Sequence, residues 1–400
     1  MEIKIVHHTV DLMGNGERNQ VNEQALLLGG REAGICYMAD NYFSTKINDD
    51  SAAERRANTI INSGHHSPFD HYTIGLEISG IPKILAMILN SVHVYTTSEK
   101  SARYTVMKPD TEVEARVYDK WKNIFAEVIH DKYPEIDEKI VDKLALENAR
   151  YMISVFTPTS MGYTTSFRQL NYMGKWFDGL ANRLANSNDA FDKKLEPYCR
   201  EMADKLKAFT DMKIPDNKNR KLDFLRLQSG EPVWDGQEHI GDTYSITYNA
   251  SFAQLAQAQR HRTLHYEMEF NASRGYTCYV PEILRDRKEL VDMWVSDFNR
   301  IKDCFPQCTL VRVIEQGRTT DFALKCKERL CGRAQLEVAK QTTETLDKML
   351  GHLDKMSSST RNELLKCTFN NKPCAKCMMQ GIKCTEHCFW GAKYALDRII

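Results

Sequence analysis

The sequence predicts a mixed α/β chain of the α+β type, built as two related copies that each carry a sheet flanked by helices. In the first half, the β-branched stretch 70–80 is followed by an apolar stretch typical of a buried helix. In the second half, the stretch 242–251 repeats the strand-like pattern, and a helix-prone segment again follows it. After "KMSSST" the composition shifts to cysteine, which predicts a small separate module.

Length and charge limit the classes of function. With 400 residues, 42% of them hydrophobic, the chain can bury a substantial core. Lys plus Arg and Asp plus Glu number 54 each, so no net charge attracts the chain to nucleic acid or to a membrane. The N-terminal "MEIKIVHHTVDLM" alternates like a strand without a signal-peptide pattern, and no apolar run approaches membrane-spanning length. We therefore expect a cytoplasmic protein with mostly reduced cysteines.

The remaining elements follow in chain order. Residues 145–209 hold amphipathic helical patterns, and the polar, Pro-containing segment 211–222 is the expected linker. A long helical pattern near the end of the second half is interrupted only by Gly332. These observations predict a first copy over 1–215, a second, divergent copy over 216–355 and the cysteine-rich module over 356–400.

Two motifs suggest anion binding. In "SEKSARY", Glu99, Ser101 and Arg103 alternate, so an extended backbone would point them to one side, where the hydroxyl and the guanidinium could grip a phosphate. A solvated loop is the alternative interpretation. In the second half, the cations of "RHR" at 260–262 repel one another unless an anion lies between them.

Together these segments resemble the flavin-dependent thymidylate synthases, whose signature runs RHRxxSxxExSxRY. The first half keeps the end of the signature, but Ser91, Val92 and His93 occupy its RHR positions; the second half supplies RHR at 260–262 and rearranges the end. The resemblance covers most of residues 1–350. Since the family assembles each active site from more than one subunit, complementary losses suit a fused pair that shares a site. Decay of both copies is the alternative.

The resemblance implies FAD-dependent reductive methylation of dUMP to dTMP, with methylenetetrahydrofolate supplying the carbon and NADPH reducing the FAD. It also implies dUMP and folate as small-molecule partners and a homo-oligomer, a homodimer for a fused pair. Arg168 and Arg329 would be catalytic. The implied flavin-binding residues are His65, Ser67, Asp70, Arg168, Arg260, His261 and Arg262. The implied nucleotide-binding residues are Glu99, Ser101, Arg103, Arg312 and Arg329.

Some positions depart from the family pattern. Arg333 stands where the family has a histidine, one helical turn after Arg329, and without the resemblance these two arginines and Lys325 would read as a solvated basic face. The departures leave two alternatives open. One is a related pyrimidine C5 modification such as hydroxymethylation. The other is a catalytically degenerate protein that binds nucleotides or nucleic acid.

The tail carries a metal-binding pattern. Its cysteines at 374, 377, 384 and 388 give C-x2-C-x6-C-x3-C, two chelating pairs separated by a short loop. We predict zinc bound by Cys374, Cys377, Cys384 and Cys388. The alternatives are an iron–sulfur cluster, with Cys367 as an alternate ligand, and plain buried thiols. The interleaved lysines could contact nucleic acid, although such lysines more often only solvate a module.

Overall fold

The computed structural model describes residues 1–9, 18–37, 49–91, 94–101, 105, 107–209, 237–385 and 388–400. The chain forms two compact units. Unit 1 comprises Met1–Lys100 and Pro158–Leu222, and unit 2 comprises Ser101–Thr157 and Asp223–Ile400. The expected linker at 211–222 lies outside the described residues.

The elements of residues 1–209 are β1 (Glu2–His8), α1 (Arg18–Tyr37), α2 (Asp50–Ser63), β2 (Thr73–Pro82), α3 (Lys83–Leu89), β3 (Tyr95–Glu99), α4 (Glu112–Lys132), α5 (Glu138–Ala149), β4 (Pro158–Ser166), α6 (Phe167–Leu184) and α7 (Ala190–Phe209). Those of residues 237–400 are β5 (His239–Ile240), β6 (Thr243–Ser251), α8 (Phe252–Ala258), β7 (His265–Glu269), α9 (Lys288–Ile301), β8 (Leu310–Arg318), α10 (Thr319–Arg329), α11 (Leu336–Leu350), α12 (Ser358–Leu365), β9 (Thr368–Phe369), β10 (Lys372–Pro373) and α13 (Gly391–Tyr394). No helix in these described stretches is long and apolar enough to cross a membrane.

Each unit contains a four-stranded antiparallel sheet, and the two sheets have the same strand order. Unit 1 has the order β1-β2-β4-β3, and unit 2 has β5-β6-β8-β7. In both, the second strand runs directly into a helix of 7 residues, and a strand of 5 residues follows. The fourth strand of each half, β4 or β8, again runs directly into a helix. This arrangement confirms a mixed fold of sheets and helices.

Burial explains the strand and helix pattern of the first half. The side chains of Ile74, Leu76 and Ile78 alternate along β2 into the core, and α3 after it is buried at six of its positions. The predicted strands at 70–80 and 242–251 are confirmed as β2 and β6. The helix after β2 is shorter than its apolar pattern, since it ends at Leu89.

One strand in the segment 145–209 differs from the helical pattern expected there. Residues 158–166 form β4, which pairs with both β2 and β3 although its sequence "PTSMGYTTS" is rich in turn-type residues. Its alternate residues are buried between neighbours, so tertiary pairing overrides local preference. The predicted break at Gly332 is confirmed, because α10 ends at Arg329 and α11 begins at Leu336.

The core of unit 2 includes an aromatic cluster formed by residues distant in sequence. The rings of Trp121 and Trp294 meet edge to face with centroids 4.7 Å apart, and Phe125 packs against both. Trp121 Nε1 donates to the buried carboxylate of Asp297 at 2.9 Å. Helices α4 and α9 are therefore joined by apolar burial and by a buried hydrogen bond.

Candidate functional site

The first candidate site lies in unit 1, where β4 passes into α6. Ser166 pairs with Thr73 at the start of β2, which places it beside the short helical turn Ser67–His71. Asp70, in that turn, accepts hydrogen bonds from Ser166 Oγ at 2.7 Å and from Arg168 Nη1 at 2.9 Å. The structure thus brings together Asp70 and Arg168, two of the predicted flavin-binding residues.

Ser166 has a second role at this junction. Its hydroxyl accepts the backbone N–H of Gln169 and caps the first turn of α6. The cap stabilises the start of α6, and the ion pair with Asp70 orients the guanidinium of Arg168. The Arg168 side chain remains partly exposed. Ser166 is not among the residues predicted from the sequence. Its signal is a serine directly before the helix and three residues before a glutamine, which is a capping pattern.

The buried face of α6 offers a test of whether a flavin suits this site. Among the described residues, Asn171 Nδ2 is buried and has no hydrogen-bond partner. An amide donor one turn after a positioned guanidinium suits the carbonyl oxygens of a planar heterocycle. These two groups therefore fit the polar edge of a flavin.

The other predicted residues of the first half are placed as follows. Ser67 is exposed at the start of the turn, and the backbone N–H of His65 donates to Ile60 O at 3.1 Å. Glu99 accepts from Lys83 Nζ at 2.6 Å in a largely buried ion pair. The carbonyl of Ser101 accepts from both the amide and the hydroxyl of Thr105. Arg103 lies outside the described residues.

The RHR motif of unit 2 lies in a turn and not at the end of a helix. Helix α8 ends at Ala258, and the backbone N–H groups of residues 260 and 261 still donate to the last carbonyls of the helix. Arg260 and Arg262 are exposed, whereas His261 is partly buried and its Nε2 is fully buried. The repulsion expected among these three residues is thus reduced by the exposure of both guanidiniums to water.

His261 lies near two other cations. Burial, together with the charges of Arg329 and Lys325, lowers its pKa to about 2, so its imidazole is neutral. Arg329 Nη2 donates to Gln257 O at 3.2 Å, at the C-terminal end of α8. The predicted residues His261 and Arg329 are therefore brought together, next to the helix end that Arg329 caps.

Several polar atoms around this helix end lack protein partners. In the part of the chain that the structure describes, His261 Nε2, Tyr266 OH and both amide atoms of Gln257 are buried without a hydrogen bond. Buried polar groups normally find partners, because leaving one unsatisfied costs roughly 1–3 kcal/mol. These groups fit a ligand that carries both hydrogen-bond donors and acceptors.

A fully buried ion pair lies next to these groups. Lys325 Nζ donates to Glu315 Oε2 at 2.7 Å, and both side chains are 0% exposed. Tyr244 OH and Tyr248 OH donate to the same carboxylate at 2.8 and 2.7 Å. Burial lowers the pKa of Lys325. A solvated basic face containing Lys325 is therefore wrong; its spacing from Phe322 and Cys326 on the buried side of α10 is the signal that was missed.

The register of the sheet places Arg312 apart from the Lys325–Glu315 ion pair. It lies opposite Glu269 on the neighbouring strand, and its Nη1 donates to Glu269 Oε2 at 3.1 Å. Its side chain is 55% exposed, so it remains open to solvent.

The cysteines of the tail do not form the predicted metal site as they stand. Cys374 is buried, and its Sγ donates to Cys367 O at 3.5 Å, whereas Cys377 and Cys384 are exposed. Across the described residues, no group of three or more His, Cys, Asp or Glu side chains is arranged to hold a metal ion. The ligand set Cys374, Cys377, Cys384 and Cys388 is therefore not assembled, because Cys374 packs inside the module.

Comparisons with solved structures give distant matches. One is the flavin-dependent thymidylate synthase ThyX from Helicobacter pylori complexed with FAD and dUMP, with 16% identity, 50% of this chain and 93% of that chain covered, and a TM-score of 0.28. Another is the UMP/dUMP methylase PolB from Streptomyces cacaoi bound with 5-Br dUMP, with 15% identity, 43% and 76% covered, and a TM-score of 0.28. No curated protein matches the chain.

Comparison with protein families gives a match within the first half. The matching family model is described as thymidylate synthase complementing protein, and it aligns with residues 28–176. This segment contains Asp70, Glu99, Ser166 and Arg168. Residues 28–176 therefore match the model of the thymidylate synthase complementing protein family over about a third of the chain, in the half whose motifs resemble the flavin-dependent thymidylate synthases.

Proposed function

We propose that the protein catalyses the FAD-dependent reductive methylation of dUMP to dTMP. Methylenetetrahydrofolate would supply the carbon, and NADPH would supply the electrons that reduce the flavin. The observation that carries this proposal is the contact between Asp70 and Arg168, inside the segment that matches the family. A partly exposed guanidinium that a carboxylate orients at the start of a helix is suited to bind an anionic group of a ligand.

The residues of unit 1 would bind and orient. Asp70 orients the Arg168 guanidinium, and a guanidinium oriented in this way would contact a flavin ring or a nucleotide base. Asn171 would supply a donor on the same helix. Bound flavin would supply the hydride chemistry, and the protein would supply position and electrostatics.

We infer further that the two halves are related copies that have kept different parts of the family pattern. The shared strand order, the matching strand–helix–strand succession and the position of RHR after the second strand of unit 2 support this inference. Neutral His261, next to Arg329 and to unpaired polar groups, would act as a hydrogen-bonding residue in a ligand site of unit 2. Its low pKa makes it unsuitable as a proton donor near neutral pH.

Visible absorption of the purified protein, followed by product analysis, tests the proposal. We expect a flavin spectrum, and we expect dTMP to form from dUMP only when methylenetetrahydrofolate and NADPH are both present. Arg168→Ala should lower the rate by roughly 100-fold or more, because one oriented electrostatic contact contributes on that scale. Arg183→Ala, at an exposed position near the end of the same helix, should leave the rate unchanged.

The alternatives give distinct results in the same assay. A hydroxymethylated nucleotide, or turnover of UMP in place of dUMP, would replace thymidylate synthesis with another C5 modification. A protein that binds nucleotide but cannot be reconstituted with FAD would contradict the proposal and leave a degenerate binding protein.

A further inference from the structure

The two units can be compared position by position, because their sheets have the same register. Strands β4 and β8 have nine residues each, and each pairs over its whole length with the strand that precedes α3 or α8. Helices α3 and α8 have seven residues each. Tyr163 therefore corresponds to Glu315, each the sixth residue of its strand, and Ile88 corresponds to Gln257, each the sixth residue of its helix.

In unit 1, this part of the fold is an apolar core. The side chains of Ile88, Tyr163, Met173 and Phe177 are at most 1% exposed. The hydroxyl of Tyr163 donates to Leu89 O at 3.1 Å, at the end of α3. Packing and one internal hydrogen bond therefore complete the place in unit 1.

The corresponding positions of unit 2 carry polar side chains. Lys325 and Arg329, the seventh and eleventh residues of α10, correspond to Met173 and Phe177 of α6. The buried partner of Lys325 is Glu315. Burying polar groups costs free energy unless each of them finds a partner. The exchange of apolar for polar residues therefore indicates a role other than stability.

Helix α10 brings Gln257 and Tyr266 to this place. Lys325 and Arg329 lie one helical turn apart and share a face. Arg329 Nη2 donates to Gln257 O at 3.2 Å, and Lys325 Nζ lies 5.5 Å from the centroid of the Tyr266 ring. Gln257 and Tyr266 are each only 4% exposed, and among the described residues their amide and hydroxyl groups are unpaired, as is Nε2 of His261.

These unpaired atoms define a kind of ligand. A carboxamide such as that of Gln257 has an acceptor and a donor side by side, so it matches a ring edge with adjacent N–H and C=O groups. The hydroxyl of Tyr266 can donate to a further carbonyl, and His261 can complete the pairing. Glu315 already compensates the charge of Lys325, so the buried part of the ligand is uncharged. A cyclic imide, the edge shared by uracil and by the pyrimidinedione ring of a flavin, has these properties.

We propose that Gln257, His261 and Tyr266 bind one cyclic imide ring per chain, and that the corresponding place in unit 1 binds none. The choice between a uracil base and a flavin ring rests on the proposed function, which supplies dUMP and FAD as the two sources of an imide. The amide of Gln257 would pair with the imide N–H and one carbonyl, and Tyr266 would donate to the other carbonyl.

Calorimetric titration of the full-length protein tests the proposal. One experiment titrates dUMP into the FAD-loaded protein, and the other titrates FAD into the flavin-free protein. We expect one of these ligands to bind with one equivalent per chain and to lose roughly 10–100-fold in affinity in Gln257→Ile, since a buried hydrogen-bonding group loses its partner. Methylation of the imide nitrogen of that ligand should weaken its binding to the unmodified protein by a similar factor, but it should change little in Gln257→Ile.

Two further variants complete the design. Tyr266→Phe keeps the ring and removes the hydroxyl, and it should weaken the same ligand by roughly 10-fold. Ile88→Val, at the position of unit 1 that corresponds to Gln257, is the matched control and should change neither the affinity nor the stoichiometry. Circular dichroism of each variant separates loss of binding from loss of the fold.

Several results would overturn the assignment. They are unchanged affinity for both ligands in a folded Gln257→Ile, equal binding of the N-methylated ligand by the unmodified protein, and a second equivalent that is lost in Ile88→Val. Formation of dTMP at an unchanged rate in Gln257→Ile would overturn this inference and leave the proposed function intact. Imide-selective binding without any dTMP would do the reverse.

Discussion

At the scale of single residues, the buried ion pair between Lys325 and Glu315 affects the stability of unit 2. Both charges are excluded from water, and two tyrosine hydroxyls complete the hydrogen bonding of the carboxylate. Removing one partner of such a pair leaves the other charge buried and uncompensated. The pair is therefore more sensitive to a single substitution than to the loss of both charges.

Replacing Lys325 tests this pair. We expect Lys325→Met to lower the free energy of unfolding by about 3–5 kcal/mol, as measured by urea denaturation. Lys327→Met, two residues along the same helix and paired with Glu363 near the surface, should cost less than about 1 kcal/mol. Equal losses in the two variants would contradict burial of Lys325. Adding Glu315→Gln to Lys325→Met should recover part of the loss.

The low pKa of His261 predicts a dependence of stability on pH. In the unfolded chain the imidazole has its ordinary pKa of 6.5, whereas in the folded protein the pKa is about 2. Below pH 6.5 the unfolded state therefore binds a proton that the folded state does not. The resulting stability is fully present above pH 6.5, and it falls by up to about 1.4 kcal/mol per pH unit below it.

Denaturation of His261→Gln at a series of pH values measures this contribution. Between pH 7.5 and 5, the variant should lose less stability than the unmodified protein. An equal loss in both proteins would show that the imidazole is protonated in the folded state. NMR titration of the ring resonances provides a second readout, and we expect no change in them over this range.

At the scale of elements, serine caps join strands to helices in both units. Ser166 caps α6 and donates to Asp70, whereas Ser251 caps α8 and donates to Glu337 at 2.6 Å. Asp70 is partly exposed and can be rehydrated, but Glu337 is buried, and burial raises its pKa. The two caps are similar, but the consequences of losing them differ.

Replacing each serine by alanine measures that difference. Ser166→Ala should cost about 1 kcal/mol of unfolding free energy, which is typical of a lost cap. Ser251→Ala should cost roughly 1–3 kcal/mol more, because it also removes a donor from a buried carboxylate. Urea denaturation of both variants provides the comparison. A smaller loss for Ser251→Ala would contradict the role of Glu337.

The sequence predicts local features well where periodicity decides them. Strands β2 and β6, the buried helix α3 and the break at Gly332 all follow from local patterns. The burial of Lys325 depends on a carboxylate ten residues away on another element. The place of Cys331 beside the tail depends on contacts between segments far apart in the chain. Such features arise from tertiary packing, which local spacing does not encode.

At the scale of the whole molecule, the two units interrupt each other along the chain. Residues 101–157 belong to unit 2 although they lie between the two parts of unit 1. Helix α4 packs its aromatic face on Trp294, which belongs to the second half of the sequence. A division into consecutive copies, 1–215 and 216–355, would separate these partners.

Expression of residues 1–215 alone tests the importance of that packing. The fragment contains Trp121 and Phe125 without Trp294, so we expect it to aggregate and to bind a hydrophobic dye. The same fragment with Trp121→Gln and Phe125→Gln should be more soluble. A monomeric fragment that binds no dye would show that α4 finds a partner within the first half.

The contact between Trp121 and Asp297 has a consequence for synthesis on the ribosome. The two residues are 176 positions apart. At a translation rate of about 5–20 residues per second, α4 emerges roughly 9–35 s before its partner helix exists. During that interval the part of its aromatic face that later packs on Trp294 lacks its native partner and can be covered by a chaperone or by a transient non-native contact. Slower translation between these helices should therefore lower the yield of folded protein, whereas a chaperone that holds exposed apolar segments should raise it.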